Sequence, residues 1–163
     1  LIKELTPKEI RRRFDYDPAT GILLWRIKVN DRAPAGSVAG YPDSRGYLRV
    51  RSCGRHYAVH RVIWAYMTGE WPADCIDHIN LNKKDNRWAN LRECSRSQNG
   101  MNTRPQPHNK LGVKNVSPTS AGAYVASVCK EGKHHKKYFP DLDDAKQWAA
   151  SKRRELHGDF HHD

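Results

Sequence analysis

Turn signals interrupt this 163-residue chain so often that most of its elements must be short. Asp17-Pro18-Ala19-Thr20-Gly21, Gly54, Gly69 with Trp71-Pro72, the prolines at 105 and 107, Ala121-Gly122 and Glu131-Gly132 each close one apolar stretch before another begins. The length allows one ordinary domain or two small ones, since domains usually run ~50 to 200 residues. Hydrophobic residues supply only 37% of the chain and the mean hydropathy is -0.89, so its cores must be modest, with five Trp, seven Tyr and three Phe as anchors. No apolar run approaches the ~18 residues that span a bilayer, and residues 1 to 14 are charged throughout, unlike a signal peptide.

Local patterns assign the elements. Thr6-Pro7-Lys8-Glu9 combines an N-cap, a proline at the first helical position and a glutamate three residues after the cap, which predicts a helix through Phe14. Ile22–Trp25 suits a strand, and residues 29 to 46 read as loops around weak strands. Alternation from Tyr47 to Ser52, Gly54, and then His56 to Ala58 reads as a hairpin. Val59, Val62, Ile63 and Tyr66 shift the period to that of a helix, closed by Gly69, with Arg61 off the apolar face. Residues 76–79 and 91–94 are strand-like, and Ser95 with Gln98 forms a capping box for a helix that runs to Pro105. Strands are expected at 112–116, 123–130 and 136–139, then a helix from Asp143 to about Leu156 with acidic residues first and basic ones last.

Charge narrows the partner. Lys and Arg number 29 against 18 Asp and Glu, a net +11, and the isoelectric point is near 9.7. The excess is spread out: 13 basic and 8 acidic groups lie in residues 1–75, 6 and 3 in 76–107, and 10 and 7 in 108–163. A distributed positive surface gains by displacing counterions from a polyanion, so nucleic acid is the expected partner. Cysteines 53, 75, 94 and 129 lie too far apart for CxxC metal pairs and are expected to be reduced and packed.

The densest chemistry lies in Asp77-His78, Asn90 and Asn99, spaced by twelve and nine residues from His78 onwards. A strand, a returning loop and a capped helix could close around one point. Asp77 and Asn99 would offer oxygen donors to magnesium or manganese, with water and phosphate completing the shell. His78 would remain free as a base, because an imidazole with an ordinary pKa of ~6.5 is available unprotonated near neutrality. Asn90 would pin the polar loop through its side chain. Adjacent strand residues point to opposite faces, so Asp77 and His78 can share one site only if the strand bulges, twists sharply or ends there. His60 and His56 could approach the site, but a histidine flanked by Val59 and Ile63 reads as a packed helix residue rather than a ligand, and Arg61 reads as a candidate phosphate grip.

Residues 59 to 104, with His60-Arg61, Asp77-His78-Ile79-Asn80, Asp85-Asn86-Arg87, Asn90-Leu91-Arg92 and Ser97-Gln98-Asn99, resemble the HNH nucleases, especially the phage and intron-encoded homing branch. The resemblance implies a ββα-metal fold that cuts DNA with one divalent cation, Mg2+ or Mn2+. By position it implies Asp77 and Asn99 as metal ligands, His78 as general base and Asn90 as the middle motif residue. Arg61, as a phosphate grip, is counted with the catalytic residues on its position off the helix's apolar face. The final motif position is asparagine here rather than the histidine of the family name. Lys83, Lys84, Arg87, Arg92 and Arg96 flank the motif as candidate DNA contacts.

Residues 109 to 160 resemble the APETALA2/ethylene-response-factor type of DNA-binding domain, through Gly112 to Val116, Tyr124-Val125-Ala126, Lys137-Tyr138-Phe139, Asp144-Ala145 and Glu155 to Phe160. That family implies a three-stranded sheet packed on one helix and laid in the major groove. Ser117 and Val125 stand where the family often has arginine; Lys114, Lys130, Lys136 and Lys137 remain candidate phosphate contacts.

The expected whole is an α+β protein. An N-terminal region of mixed short elements (1–74) supports a ββα-metal core (75–104), followed by a linker (105–109) and the DNA-binding domain (110–160). The expected function is site-selective, nicking hydrolysis of double-stranded DNA in a bacterial or phage-infected cytoplasm, with no membrane and no organic cofactor. The alternatives are a non-catalytic DNA-binding protein on the same scaffold and an RNA nuclease.

Overall fold

The computed structural model describes residues 4–106, 109 and 111–162. The chain divides into two compact units, Leu1–Ser95 and Arg96–Asp163. The division falls before the expected boundary at residue 104, so the helix carrying Asn99 is grouped with the second unit. Pro107 and His108, within the expected linker, lie outside the described residues.

In the first unit, α1 (Pro7–Arg13) starts where Thr6 Oγ1 accepts from the Glu9 amide. The predicted helix stops one residue early. Phe14 adopts extended backbone and opens β1 (Phe14–Asp17), which pairs antiparallel with β2 (Ile22–Trp25) and sets Phe14 opposite Trp25. Tertiary burial overrides local propensity here: Phe14 is wholly buried, its ring 4.5 Å from that of Trp25.

The loop-rich stretch contributes only β3 (Tyr41–Pro42), which pairs with β4 (Leu48–Ser52); β4 pairs in turn with β5 (Arg55–Ala58). From β5 the chain enters α2 (Val59–Thr68) directly, and Gly69 ends that helix at φ 85°, a left-handed conformation that glycine adopts without strain. Val59, Val62, Ile63 and Ala65 of α2 form the centre of a core with Leu5, Ile10, Phe14, Leu23 and Val50. Then β6 (Cys75–His78) and β7 (Leu91–Cys94) make an antiparallel pair with Asp77 opposite Arg92 and His78 opposite Leu91. A 3₁₀ turn, Trp88–Asn90, leads into β7.

In the second unit, α3 (Arg96–Met101) ends before the predicted stop at Pro105; none of its residues is buried, so no packing prolongs it. A sheet follows, built from β8 (Val116–Pro118), β9 (Tyr124–Lys130) and β10 (Lys133–Phe139) in the order β10-β9-β8. The strand predicted at 112–116 begins only at Val116, because Gly112 and Asn115 hold positive φ of 63° and 65°. The final helix, α4 (Leu142–His157), is capped by Asp141, whose carboxylate accepts from the Asp143 and Asp144 amides. Val116, Ala126, Ala145 and Ala149, flanked by Phe139 and Trp148, form the core between sheet and helix. The whole is the expected mixture of helix and sheet.

Candidate active site

The strand β6 ends at His78. Asp77 and His78 project to opposite faces of the hairpin, yet each is only 4% exposed, so both faces are covered. On the Asp77 face the cross-strand Arg92 donates from Nε and Nη2 to Asp77 Oδ2 at 2.9 and 2.7 Å. Cys75 and Cys94 pair across the same face. Burial pushes the Cys94 thiol up to about 11, with the Asp77 charge adding to the effect, and the described cysteines are free thiols, as expected.

On the other face His78 meets aromatic rings. The His60 ring centroid lies 5.1 Å away, edge-on, and that of Tyr47 6.0 Å away. Burial lowers the pKa of His78 below its ordinary value, against the opposing pull of a contact with Asn86 and of the Asp77 charge. Burial drives His60 down further, to about 3, and the neighbouring His78 adds to the shift. Both rings are therefore neutral near pH 7. His60 was expected to pack within its helix; it does so directly against the candidate base. His56 is exposed on β5, its Nδ1 2.6 Å from the Tyr41 hydroxyl.

The loop between β6 and β7 is a closed polar lattice. Asn90 Oδ1 accepts from the Asn80 amide at 3.0 Å, and Asn90 Nδ2 donates to Asn80 Oδ1 and to the Asp85 carbonyl at 3.0 and 2.7 Å. Asn90 thus joins both ends of the loop. Asp85 accepts from Arg87 and from Asn80 Nδ2; the Arg87 guanidinium above all holds its carboxyl down, to about 2. The first hairpin supports the loop from behind: the Tyr16 hydroxyl donates to the Asn86 carbonyl at 2.7 Å in a buried contact, and Trp88 N donates to Pro18 O at 3.1 Å.

Several candidate DNA contacts are otherwise engaged. Arg61, expected as a phosphate grip, donates instead to the carbonyls of Pro72 and Asp74 and so straps α2 to the entry of β6. Arg92 is spent on Asp77, its side chain 17% exposed, and Arg87 on Asp85. Lys83 Nζ lies over the Tyr47 ring and donates to the Arg45 carbonyl. Lys114, expected on a phosphate, donates to the carbonyls of Met101 and His162. Lys84 and Arg96 are exposed, and Asn99 is half-buried on α3.

On the sheet of the second unit, the face away from α4 carries Ser117 opposite Val125, Tyr138 opposite Val125, and Lys136 opposite Ser127. Tyr138 is 68% exposed. Lys137 falls on the other face, its ammonium over the Phe139 ring, and Lys130 sits at the β9–β10 turn opposite Lys133.

Among the described residues no three His, Cys, Asp or Glu side chains gather as a metal cage. The two ligands expected from the sequence, a carboxylate at Asp77 and an amide at Asn99, are oxygen donors of the kind magnesium or manganese takes rather than a zinc set; they fall in different units, and Asp77 Oδ2 already accepts from Arg92. Sequence reasoning missed Tyr16, Tyr47 and the roles of His60 and Asn86. Asn86 stood inside the Asp85-Asn86-Arg87 motif, but nothing local showed what it touches.

A family model described as HNH endonuclease matches residues 57–101, from the end of β5 through the hairpin to α3. The match to HNH endonucleases covers this segment, 45 of the 163 residues. An uncharacterized HNH endonuclease, L560, of Acanthamoeba polyphaga mimivirus is 36% identical over 125 residues, which cover 75% of this chain and 61% of that protein. The chain therefore spans about three fifths of that relative's length. Protein 3.8 of Escherichia phage T7 is 32% identical over 103 residues, or 62% of this chain and 85% of the phage protein. A solved structure titled "DNA binding and cleavage by the HNH homing endonuclease I-HmuI" aligns over 92% of this chain and 87% of its own, at a TM-score of 0.42 and 18% identity. Among the described residues no helix is long and apolar enough to cross a membrane.

Proposed function

We propose that this protein is a divalent-cation-dependent endonuclease that hydrolyses phosphodiester bonds of double-stranded DNA, one strand at a time. The observation that carries the reading is His78, an imidazole kept neutral by burial at the last residue of a strand, directly after a carboxylate. His78 takes the proton of a water molecule as its oxygen attacks phosphorus; the bond from phosphorus to the departing sugar oxygen breaks, and that oxygen leaves to be protonated. Asp77 and Asn99 would hold a magnesium or manganese ion, which would supply positive charge to the phosphate and the departing oxygen. Asn90 keeps the loop closed behind the base, and Arg61 holds the entry to the strand.

The second unit is proposed as the DNA-binding module. Lys136 and Tyr138 stand on its open sheet face, joining a cation to an exposed ring, a combination suited to phosphate and groove contacts. One hydrolytic site cuts one strand, so nicking is the expected product.

Supercoiled plasmid incubated with the protein and magnesium or manganese tests this reading. Open circles that form only without chelator, and vanish in His78→Ala, are the expected result. Binding without metal-dependent cutting would favour the non-catalytic DNA-binding protein, and preferential degradation of RNA would favour an RNA nuclease.

A further inference from the structure

Cys75 opens β6 and Cys94 closes β7, and the register sets the two directly opposite one another. Bonds on both sides of the pair keep the strands from slipping. Just outside it the Glu93 carboxylate accepts from the Ala73 amide at 2.7 Å, and at the loop end the Asn90 carbonyl accepts from the Ile79 amide at 2.9 Å. Opposed residues of an antiparallel pair share a face, with Cα atoms ~4.5–5.5 Å apart, inside the ~4.4–6.8 Å over which a disulfide forms. Cys75 is half-buried and Cys94 is 4% exposed, so one sulfur is open to a reagent and the other stands behind it. Cys53 and Cys129 have no such arrangement: the first lies in the β4–β5 turn, and the second stands opposite His134.

Two thiols can hold a soft metal ion or bond to each other. Asp74 Oδ1 lies 3.4 Å from Cys75 Sγ at an exposed position, yet among the described residues no three His, Cys, Asp or Glu side chains form a cage here. The chemistry that remains is oxidation of the pair. Alternation along the hairpin puts Asp77 and Arg92 next on the same face. Bridged Cβ atoms sit ~3.8 Å apart, against ~4.5–5.5 Å in an unbridged pair, so closing the bridge draws the strand ends together by ~1 Å. That displacement acts two residues from Asp77, and a ~1 Å misplacement around a reacting site can cost ~100-fold in rate.

We infer that Cys75 and Cys94 are a modification site, the two halves of a reversible disulfide that staples the open end of the hairpin and slows the chemistry at Asp77. The oxidant is a low-molecular-weight disulfide. The Cys75 sulfur attacks one of its sulfurs, the small S–S bond breaks, and one small thiol leaves with the Cys75 proton. The Cys94 sulfur then attacks Cys75 in the mixed disulfide and expels the second small thiol, which takes the Cys94 proton. The protein gives up two protons and two electrons, and the small disulfide receives both. The bridge stands on the strand register alone; its effect on cutting rests on the nuclease reading.

The test treats the full chain with oxidised glutathione, alkylates the remaining thiols and maps the tryptic peptides by mass spectrometry. The expected product links the peptide holding Cys75 to the one holding Cys94. Dithiothreitol should abolish the link, a variant carrying Cys53→Ser and Cys129→Ser should keep it, and Cys75→Ser should lose it. On supercoiled plasmid the bridged protein is expected to nick ~10–100-fold more slowly, with the rate restored by dithiothreitol, whereas Cys75→Ser loses no rate under the same treatment. Wild-type protein that yields only glutathione adducts, or no link between these two cysteines, overturns the inference whether or not any variant folds. Bridged protein that nicks at the full rate overturns the slowing of the chemistry. Protein that forms the bridge but cuts nothing even when reduced would remove the nuclease reading and leave the bridge standing.

Discussion

Alanine at position 21 introduces a single methyl group, and the structure says what it must meet. Gly21 holds φ +75°, a conformation that costs an L residue ~1–2 kcal/mol. The atoms nearest the new Cβ are backbone of Asn86 and Arg87, which cannot rotate aside as a flexible side chain would. Relief requires moving the loop, at the ~1–3 kcal/mol typical of overpacking. Gly36 supplies the control, with φ +82° and nothing within 4 Å of its virtual Cβ, so Gly36→Ala incurs the conformational term alone. Gly21→Ala should therefore lose about 2–5 kcal/mol and Gly36→Ala about 1–2 kcal/mol. Urea unfolding followed by tryptophan fluorescence in a Trp148→Phe background measures this, since the four remaining indoles, Trp25, Trp64, Trp71 and Trp88, all lie in the first unit. Because the displaced loop carries Asn86, Gly21→Ala should also nick more slowly than Gly36→Ala. Equal stabilities within ~0.5 kcal/mol, the range of an ordinary surface substitution, would refute the claim that the first hairpin abuts the loop.

Stability should fall on acidification because of His60. Its folded pKa, about 3, lies below the ordinary 6.5, so its contribution is complete above pH 6.5 and is lost as the pH drops towards 3. The loss by pH 5 is about 2 kcal/mol, read as a shift in urea midpoint that His60→Leu flattens; an unchanged midpoint would contradict it. Arg92→Met should cost ~3–5 kcal/mol by stranding the buried Asp77 carboxylate, and adding Asp77→Asn should restore most of it; additive losses in the double variant would show that the two groups are not coupled. Lys136→Ala should weaken binding to duplex DNA and lower the slope of log affinity against log salt by ~0.9, whereas an unchanged slope would remove Lys136 from the phosphate contacts.

Of the fold, the sequence made legible whatever is decided within a few residues. Thr6 and Glu9 start α1, the three- and four-residue recurrence of Val59, Val62 and Ile63 with Gly69 bounds α2, and Asp141 to Asp144 open α4. These signals are local because a cap or a helical face involves groups no more than about four positions apart. Phe14 and Val116 escaped them: one left its helix to be buried against Trp25, and the other began its strand late because Asn115 turned left-handed.

The candidate site divides along the same line. Sequence alone determined which chemical types are present and how far apart they stand along the chain: an imidazole after a carboxylate, and amides at 90 and 99. Only the tertiary structure decided what each one faces. Strand register set Arg92 upon Asp77, so a cation expected on DNA became the partner of a carboxylate. Helix α2 delivered His60 to the ring of His78, and a hairpin seventy residues before Asn86 clamped it there. Such contacts leave no local trace, because burial and hydrogen bonding depend on distance in space, which spacing along the chain does not encode.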